Sequence, residues 1–452
     1  MSVTLLADAD FVVRDAGAFL RRASVAVRDG VIAEVGDAAA LARRHPDAAV
    51  VDCRGTIVLP GLVNAHSHLW NSVMRGLGKR LSVYDWLRRL TYPVTRTMTD
   101  ADHYWAVLLG CLDALRNGTT AIVDMPTHYA RFRADSSMRA LHDAGIRGAV
   151  VRAASDRSSV DPGEARPPAE DLAAAEAFLD RWQGRGRVQA WLGPTGFHGA
   201  SPDLMARMKR LADRRQARFH VHLGESRVGI EAARREGYAG EVAWADAVGL
   251  LDPRTSVAHG VWMGETEMQA LARAGAWVVH NPTSNQVLAS GVADLPRLRA
   301  AGVPLALGTD GPASNDTFDM FAEMKAAVLL QRVHTLDPLV LTAADAFAMA
   351  TRGSAGALGL DRVGAVAPGF AADLAVVRAA GNPTLTPVYH PVESLVYQAS
   401  GRDVVLTMVD GEVLYRDGAF PRLDAARVFR EVDAIAARIA AAHPELVAAP
   451  AP

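Results

Sequence analysis

Cysteine is nearly absent from this 452-residue chain, with Cys53 and Cys111 the only two, far apart and without metal-ligand spacing. That scarcity excludes a disulfide framework and a thiolate metal site, and it leaves both residues as small apolar core side chains. A strong charge of either sign is missing too. The formal net charge is -2 and the arginines are spread along the chain, so no global basic field draws nucleic acid. No uncharged apolar run reaches transmembrane length. The opening MSVTLLADADFVVRD carries acids where a secretion signal needs positive charge followed by a long apolar stretch. A cytoplasmic protein with no nucleic-acid or membrane partner is expected. What the chain does have is apolar mass: 50% hydrophobic and 22% charged residues suffice for one large domain plus a smaller one.

The order of elements follows from the spacing of apolar residues. Short strands are expected at Thr4 to Val13, Ala23 to Val27, Val31 to Val35 and Val50 to Val51, with Asp29-Gly30 as a hairpin turn. A matching pattern returns at Asp373 to Val377, Val404 to Val409 and Glu412 to Tyr415, with Asp410-Gly411 at its turn. Neither β-rich flank is large enough to cover a core alone, so the two are expected to pair as one β-sandwich domain, residues 1–58 plus 366–423. Between them, strand-like runs at Leu62 to His68, Thr120 to Asp124, Gly148 to Arg152, Val188 to Leu192, Phe219 to Leu223, Ser256 to His259, Trp277 to His280 and Leu305 to Asp310 alternate with helical stretches such as Ala101 to Arg116 and Asp171 to Gln183. Eight strands with helical crossovers predict an α/β fold, a parallel (β/α)8 barrel over residues 59–365. An open doubly wound sheet would not bring the ends of its first, fifth, sixth and eighth strands to one point. Residues 424–452 form a C-terminal helix, Ala425 to His443, and a tail, assigned to packing against the body or a partner subunit.

Chemistry concentrates at strand ends. His66 and His68 stand two apart at the end of an apolar run, and in a strand such residues point the same way, so both imidazoles can reach one metal ion. An isolated pair of this kind carries little weight. Three further segments share its grammar, an apolar run ending in His or Asp and then loop residues: His220-Val221-His222-Leu223-Gly224-Glu225, Val257-Ala258-His259-Gly260 and Leu307-Gly308-Thr309-Asp310-Gly311.

With these go Met74-Arg75-Gly76, Trp86, HNPTSN from His280 to Asn285, GTDGPASND from Gly308 to Asp316 and PGFAADLAVV from Pro368 to Val377. The ordered set resembles the amidohydrolase superfamily over nearly the whole chain. The branch is that of metal-dependent deaminases and related hydrolases of nitrogen heterocycles: cytosine deaminase-like enzymes and relatives of S-adenosylhomocysteine deaminases and triazine hydrolases. The resemblance implies metal ligands His66, His68, His222 and Asp310 around one divalent ion. Zinc suits these mixed ligands, and Fe(II) accepts similar ones. Two-metal relatives place a carboxylated Lys or a Glu at the end of the fourth strand. Here that strand ends Trp191-Leu192-Gly193-Pro194, which favours one metal. His220 falls one layer deeper, as a hydrogen-bonded core histidine.

The roles implied are Glu225 as general acid to a ring nitrogen, His259 as the group that orients water and stabilises the tetrahedral intermediate, and Asp310 as acceptor of the water's proton. The expected reaction is hydrolytic deamination of a purine, pyrimidine, pterin or triazine type of small heterocycle. Hydrolysis of a cyclic amide or of a chlorinated or alkylamino triazine is the alternative. Triazine dechlorinases of this group tend to lack the acid at Glu225, so its presence favours an amine leaving group. Candidate substrate contacts are Trp86, Phe197, His198, Arg75 and His128. Asp156 and Arg157 are read as a solvated loop, Ser284 and Asn285 as loop architecture or substrate contacts, and His103, His142 and His334 as helix packing or solvent-facing. Thioadenosine deaminases carry a Pro-His-Ala-Pro type segment after the fourth strand. Here it reads Gly193-Pro194-Thr195-Gly196-Phe197-His198, which argues against that substrate. The resemblance also implies a homodimer or larger assembly.

Overall fold

The computed structural model describes residues 3–158 and 160–448, so the last four residues of the expected C-terminal tail lie outside the description. Two eight-stranded sheets organise it. One is all parallel and runs in chain order: Leu62–Ser67, Thr119–Asp124, Arg147–Ala154, Val188–Pro194, Phe219–Leu223, Thr255–His259, Trp277–His280 and Leu305–Leu307. These strands are almost wholly buried, as a sheet with both faces covered requires. Between the first and eighth strands no regular ladder forms. Side chains close the seam instead: the Asn64 amide donates to Thr309 Oγ1 at 2.7 Å, Thr309 N–H donates to Asn64 Oδ1 at 3.1 Å, and Asp310 N–H reaches the His66 carbonyl at 3.0 Å. Gly308 allows this approach, since a Cβ there would lie 2.9 Å from the His66 nitrogen. The seam therefore sets two expected ligands side by side.

The helices wrap this barrel. Asp100–Arg116 begins with a capping box between Thr99 and Asp102, and the C-terminal helix Ala425–Ala442 lays Val428, Val432, Ile435 and Ile439 against the body. Arg438 of that helix pairs with Asp102.

The second sheet is mixed and gathers both ends of the chain: Val3–Asp15, Ala18–Arg28, Val31–Asp37, Ala49–Asp52, Thr56–Pro60, Leu374–Arg378, Val404–Val409 and Glu412–Arg416. Thr56–Pro60 pairs antiparallel with Leu374–Arg378 and joins the two flanks. The sheet folds over one apolar cluster that includes Val25, Ile32, Val58, Leu374 and Leu406. The two Asp-Gly hairpin turns then meet: Asp29, Gly30, Asp410 and Gly411 all have positive φ, and a Cβ on Gly30 would come within 2.9 Å of the Asp410 carbonyl. Arg147, which begins the third barrel strand, holds this domain to the barrel through Asp373 at 2.7 Å and through Asp410.

Candidate metal and active site

Barrel strands end in residues whose backbone then turns sharply. His259 has φ 76° and Asp310 φ 61°, left-handed values for side chains that would avoid them in a free chain. These bends bring His66, His68, His222, His259 and Asp310 to one point. His66 with His222 and His259, and His66 with His68 and Asp310, each place their donor atoms within 4.8 Å of one another.

Each imidazole is held by its Nδ1. That of His68 donates to the Met125 carbonyl at 2.6 Å and that of His222 to the Thr195 carbonyl at 3.1 Å. A carbonyl only accepts, so both rings carry their proton on Nδ1 and leave Nε2 as a bare lone pair. Those two Nε2 atoms face each other at 3.3 Å. Two neutral lone pairs at that distance repel unless a cation lies between them. His66 Nε2 is buried with no hydrogen-bond partner, and its Nδ1 stands 2.8 Å from His220 Nε2, whose own Nδ1 meets Ser256 Oγ at 2.6 Å. His220 thus supports a neighbour and has no free nitrogen for the centre. Asp310 Oδ1 sits 3.3 Å from His68 Nε2 and 3.5 Å from His66 Nε2, while its Oδ2 accepts from Ser284 Oγ at 2.5 Å and from Ser314 Oγ at 3.2 Å. Three bare imidazole nitrogens and one carboxylate oxygen fit a divalent metal of the zinc type.

Electrostatics agree with that donor set. Burial pushes His66 and His222 down, and it pushes His68 down to about 3, so the rings are neutral at ordinary pH. Burial alone would raise Asp310, but the imidazoles around it, His66 and His68 with His259 beside them, hold it well below the usual carboxylate range. Glu225 moves the other way: burial raises its pKa, Asp310 adds to the rise, and His259 and His128 oppose it. Its carboxylate lies 3.8 Å from His259 Nε2, and His259 Nδ1 is fixed by Asn285 Oδ1 at 2.9 Å.

A cavity opens beside this cluster. His68, His222, Glu225, His259 and Asp310 line it, as do three of the expected substrate contacts, Trp86, His128 and His198. The other two are placed elsewhere. Arg75 turns away to pair with Asp113 at 3.0 Å, and Phe197 packs edge-to-face on Trp244 with centroids 5.0 Å apart, under the Arg157 guanidinium. Asp156 is half-buried and has a structural partner: it accepts from Ser201 N–H and Oγ at the start of the helix Pro202–Arg214. Asn285 and Ser284 serve the centre by holding His259 and Asp310. His103 is buried against Ser137 Oγ at 2.8 Å.

Sequence reasoning missed several cavity residues. Trp70, Tyr84 and Leu288 line the walls, and Glu241 places a buried carboxyl there that accepts from Gly224 N–H at 2.5 Å. Burial, with Glu225 and Glu267 adding, pushes Glu241 up to about 8. Tyr84 shares the turn of Trp86, which was a usable signal. Glu241 offered none.

The comparisons with known proteins follow this geometry. A family model described as Amidohydrolase family matches residues 57–414, and one described as an imidazolonepropionase-like composite domain of bacteria matches residues 25–48. A 5-methylthioadenosine/S-adenosylhomocysteine deaminase of Nitratidesulfovibrio vulgaris is 38% identical over 404 residues, 89% of each chain. A 5'-deoxyadenosine deaminase of Methanothermobacter thermautotrophicus is 37% identical over 429 residues, 94% of this chain and 97% of its own. Among solved structures, an adenosine deaminase from Xanthomonas campestris with bound zinc superimposes with a TM-score of 0.91 at 28% identity, covering 97% of this chain and 98% of that one.

Proposed function

The chain belongs to the amidohydrolase family and is a metal-dependent hydrolase of carbon–nitrogen bonds that deaminates a nitrogen heterocycle, and we propose that its substrate is an adenosine-type nucleoside. One observation carries the reading: three bare Nε2 atoms from two strand ends converge beside a half-buried acid, Glu225, at the edge of a cavity. Relatives named for methylthioadenosine and 5'-deoxyadenosine extend over about nine-tenths of the chain. Their extent outweighs the sequence objection drawn from Gly193 to His198, and His198 of that segment still lines the cavity. Apolar walls from Trp70, Val83, Trp86 and Leu87 suit a purine face and a small apolar 5' group.

His66, His68, His222 and Asp310 would hold the metal, which when bound supplies Lewis acidity and a water of lowered pKa. The remaining steps belong to the side chains. His259, its Nδ1 fixed by Asn285, presents Nε2 to orient the attacking water. Asp310, steadied at Oδ2 by two serine hydroxyls, takes the proton that water gives up. Glu225 protonates the ring nitrogen next to the aminated carbon as the C–O bond forms, so negative charge does not accumulate on the ring. The C–N bond then breaks as Asp310 passes that proton to the amine, the hydroxyl gives its proton back to Glu225 as the C=O bond forms, and the products are ammonia and the oxo heterocycle. A cytoplasmic homodimer or larger assembly completes the proposal.

The test is ammonia release by zinc-loaded protein from methylthioadenosine, 5'-deoxyadenosine and adenosine, beside aminopyrimidines, aminopterins and aminotriazines, with Glu225→Gln as the blank. Turnover confined to the nucleosides is expected. Turnover of another ring class alone would overturn the nucleoside assignment.

A further inference from the structure

A second buried polar cluster lies against the cavity, and the chemistry above does not use it. His128 follows the second barrel strand with φ 52°, and it lines the cavity. Its Nδ1 is buried without a regular hydrogen bond and stands 3.4 Å from Glu164 Oε1, within ion-pair reach. Glu164 comes from a short turn after the third strand, Pro162–Glu164, and is only 1% exposed. It accepts from Arg131 Nη1 at 2.8 Å and from the Tyr92 hydroxyl at 2.5 Å. Arg131, fully buried, also donates to the His128 carbonyl at 2.8 Å, so one guanidinium fixes both the backbone of His128 and its partner carboxylate. Behind them Asp171 pairs with Arg152 at 2.8 Å.

Two arginines and two carboxylates buried together are costly unless each is paired, and networks of this kind are kept where they fix one arrangement of something else. Among the described residues of this cluster, His128 alone reaches the cavity. Its left-handed backbone holds only if the surroundings over-determine it. Tyr92, whose ring centroid is 4.7 Å from that of His128, closes the remaining side.

We propose that Glu164 is a positioning residue: locked by Arg131 and Tyr92, it holds the His128 imidazole as a hydrogen-bonding anchor for the substrate away from the reacting carbon. The inference rests on the deaminase reading of the cavity. It assigns His128 to substrate binding and leaves proton transfer to Glu225. Glu164→Gln keeps the shape of the side chain but removes the charge that orients the ring, so KM should rise about tenfold with kcat within about twofold.

The experiment is a double-mutant cycle in zinc-loaded protein, with kcat and KM measured from ammonia release for wild type, Glu164→Gln, His128→Asn and the pair. Because Glu164 acts through His128, Glu164→Gln should add nothing in the His128→Asn background. An equal rise in KM in both backgrounds, a fall in kcat at unchanged KM, or an unchanged KM in His128→Asn would each overturn the inference. If Glu164→Gln does not fold, Tyr92→Phe removes one donor to the same carboxylate and must show the same dependence on His128. Absence of turnover by zinc-loaded wild type would instead overturn the deaminase reading, before any variant is compared.

Discussion

The mouth of this barrel carries two buried polar clusters built on opposite rules. In the first, His66, His68 and His222 each have one ring nitrogen held and the other directed at a shared point, so lone pairs face one another with no proton between them. In the second, Arg131, Arg152, Glu164 and Asp171 meet partners of opposite sign. A cluster left incomplete by its own residues is built to hold something else, whereas a cluster that completes itself is built to hold its neighbours still. Substitutions should separate the two: at the first, activity goes and the fold stays; at the second, the fold weakens and the chemistry of the folded molecules stays.

The largest effect is expected from emptying the first cluster. Removing zinc with a chelator, or substituting His68→Ala, should lower ammonia release by at least about 10³-fold, with zinc content falling in parallel. The circular dichroism spectrum should keep its native shape, since the seam at Asn64 and Thr309 closes through protein groups alone. Full zinc occupancy in His68→Ala would remove that residue from the ligand set.

Glu225→Gln should come next, with kcat down about 10²- to 10⁴-fold and zinc retained. Its pKa is raised chiefly by burial, and the protonated form is the one that works. Wild-type kcat should therefore decline as pH rises through that raised value, and the residual activity of Glu225→Gln should lack this alkaline limb. A limb that persists in the variant assigns it to another group.

Asp171→Asn tests the contrary rule. It leaves Arg152, and in part Arg131, buried without a counter-charge, a loss of about 3–5 kcal/mol that a thermal or urea melt would read. Molecules that remain folded should keep kcat within about twofold. A collapse of kcat without a change in melting would place this cluster in the chemistry.

The two clusters also differ in how much the sequence discloses. His66, His68, His222 and Asp310 stand at the ends of apolar runs, where strand geometry and barrel closure leave one place for them to go, so motif and position agree. The seam shows a local limit: the eighth strand was expected to reach Asp310, but the ladder stops at Leu307, and Thr309 and Asp310 bond across the seam to Asn64 and His66 instead. Arg75 and Phe197 lie in loops that do bound the site, yet a loop sequence does not say which side chains face inward. Asp113 and Trp244, more than thirty residues away in each case, decided that. Glu164 sits in Asp161-Pro162-Gly163-Glu164, which reads as a solvated turn until Arg131 and Tyr92 are brought over it.

Glu241 is the harder case, and it gives the smallest and most specific prediction. It opens the helix Glu241–Ala247, where an acid ordinarily faces water and favours the helix N-terminus. Here Gly224 and Gly229 let the neighbouring segments close over it: Gly224 donates its N–H, and a Cβ on Gly229 would lie 2.4 Å from the carboxylate. With burial pushing its pKa up to about 8 from an ordinary 4.5, the native state holds a proton that the unfolded chain has released across that interval. The unfolded state binds fewer protons there, so this group lowers stability as pH rises through the window, and the decline levels off above the folded value. Glu241→Gln should therefore melt with a shallower loss of stability between about pH 5 and pH 8, and should exceed wild type at the alkaline end. Parallel melting curves for the two proteins across that range would mean that the carboxyl is already ionised in the fold, and that the cavity carries one more negative charge beside Glu225.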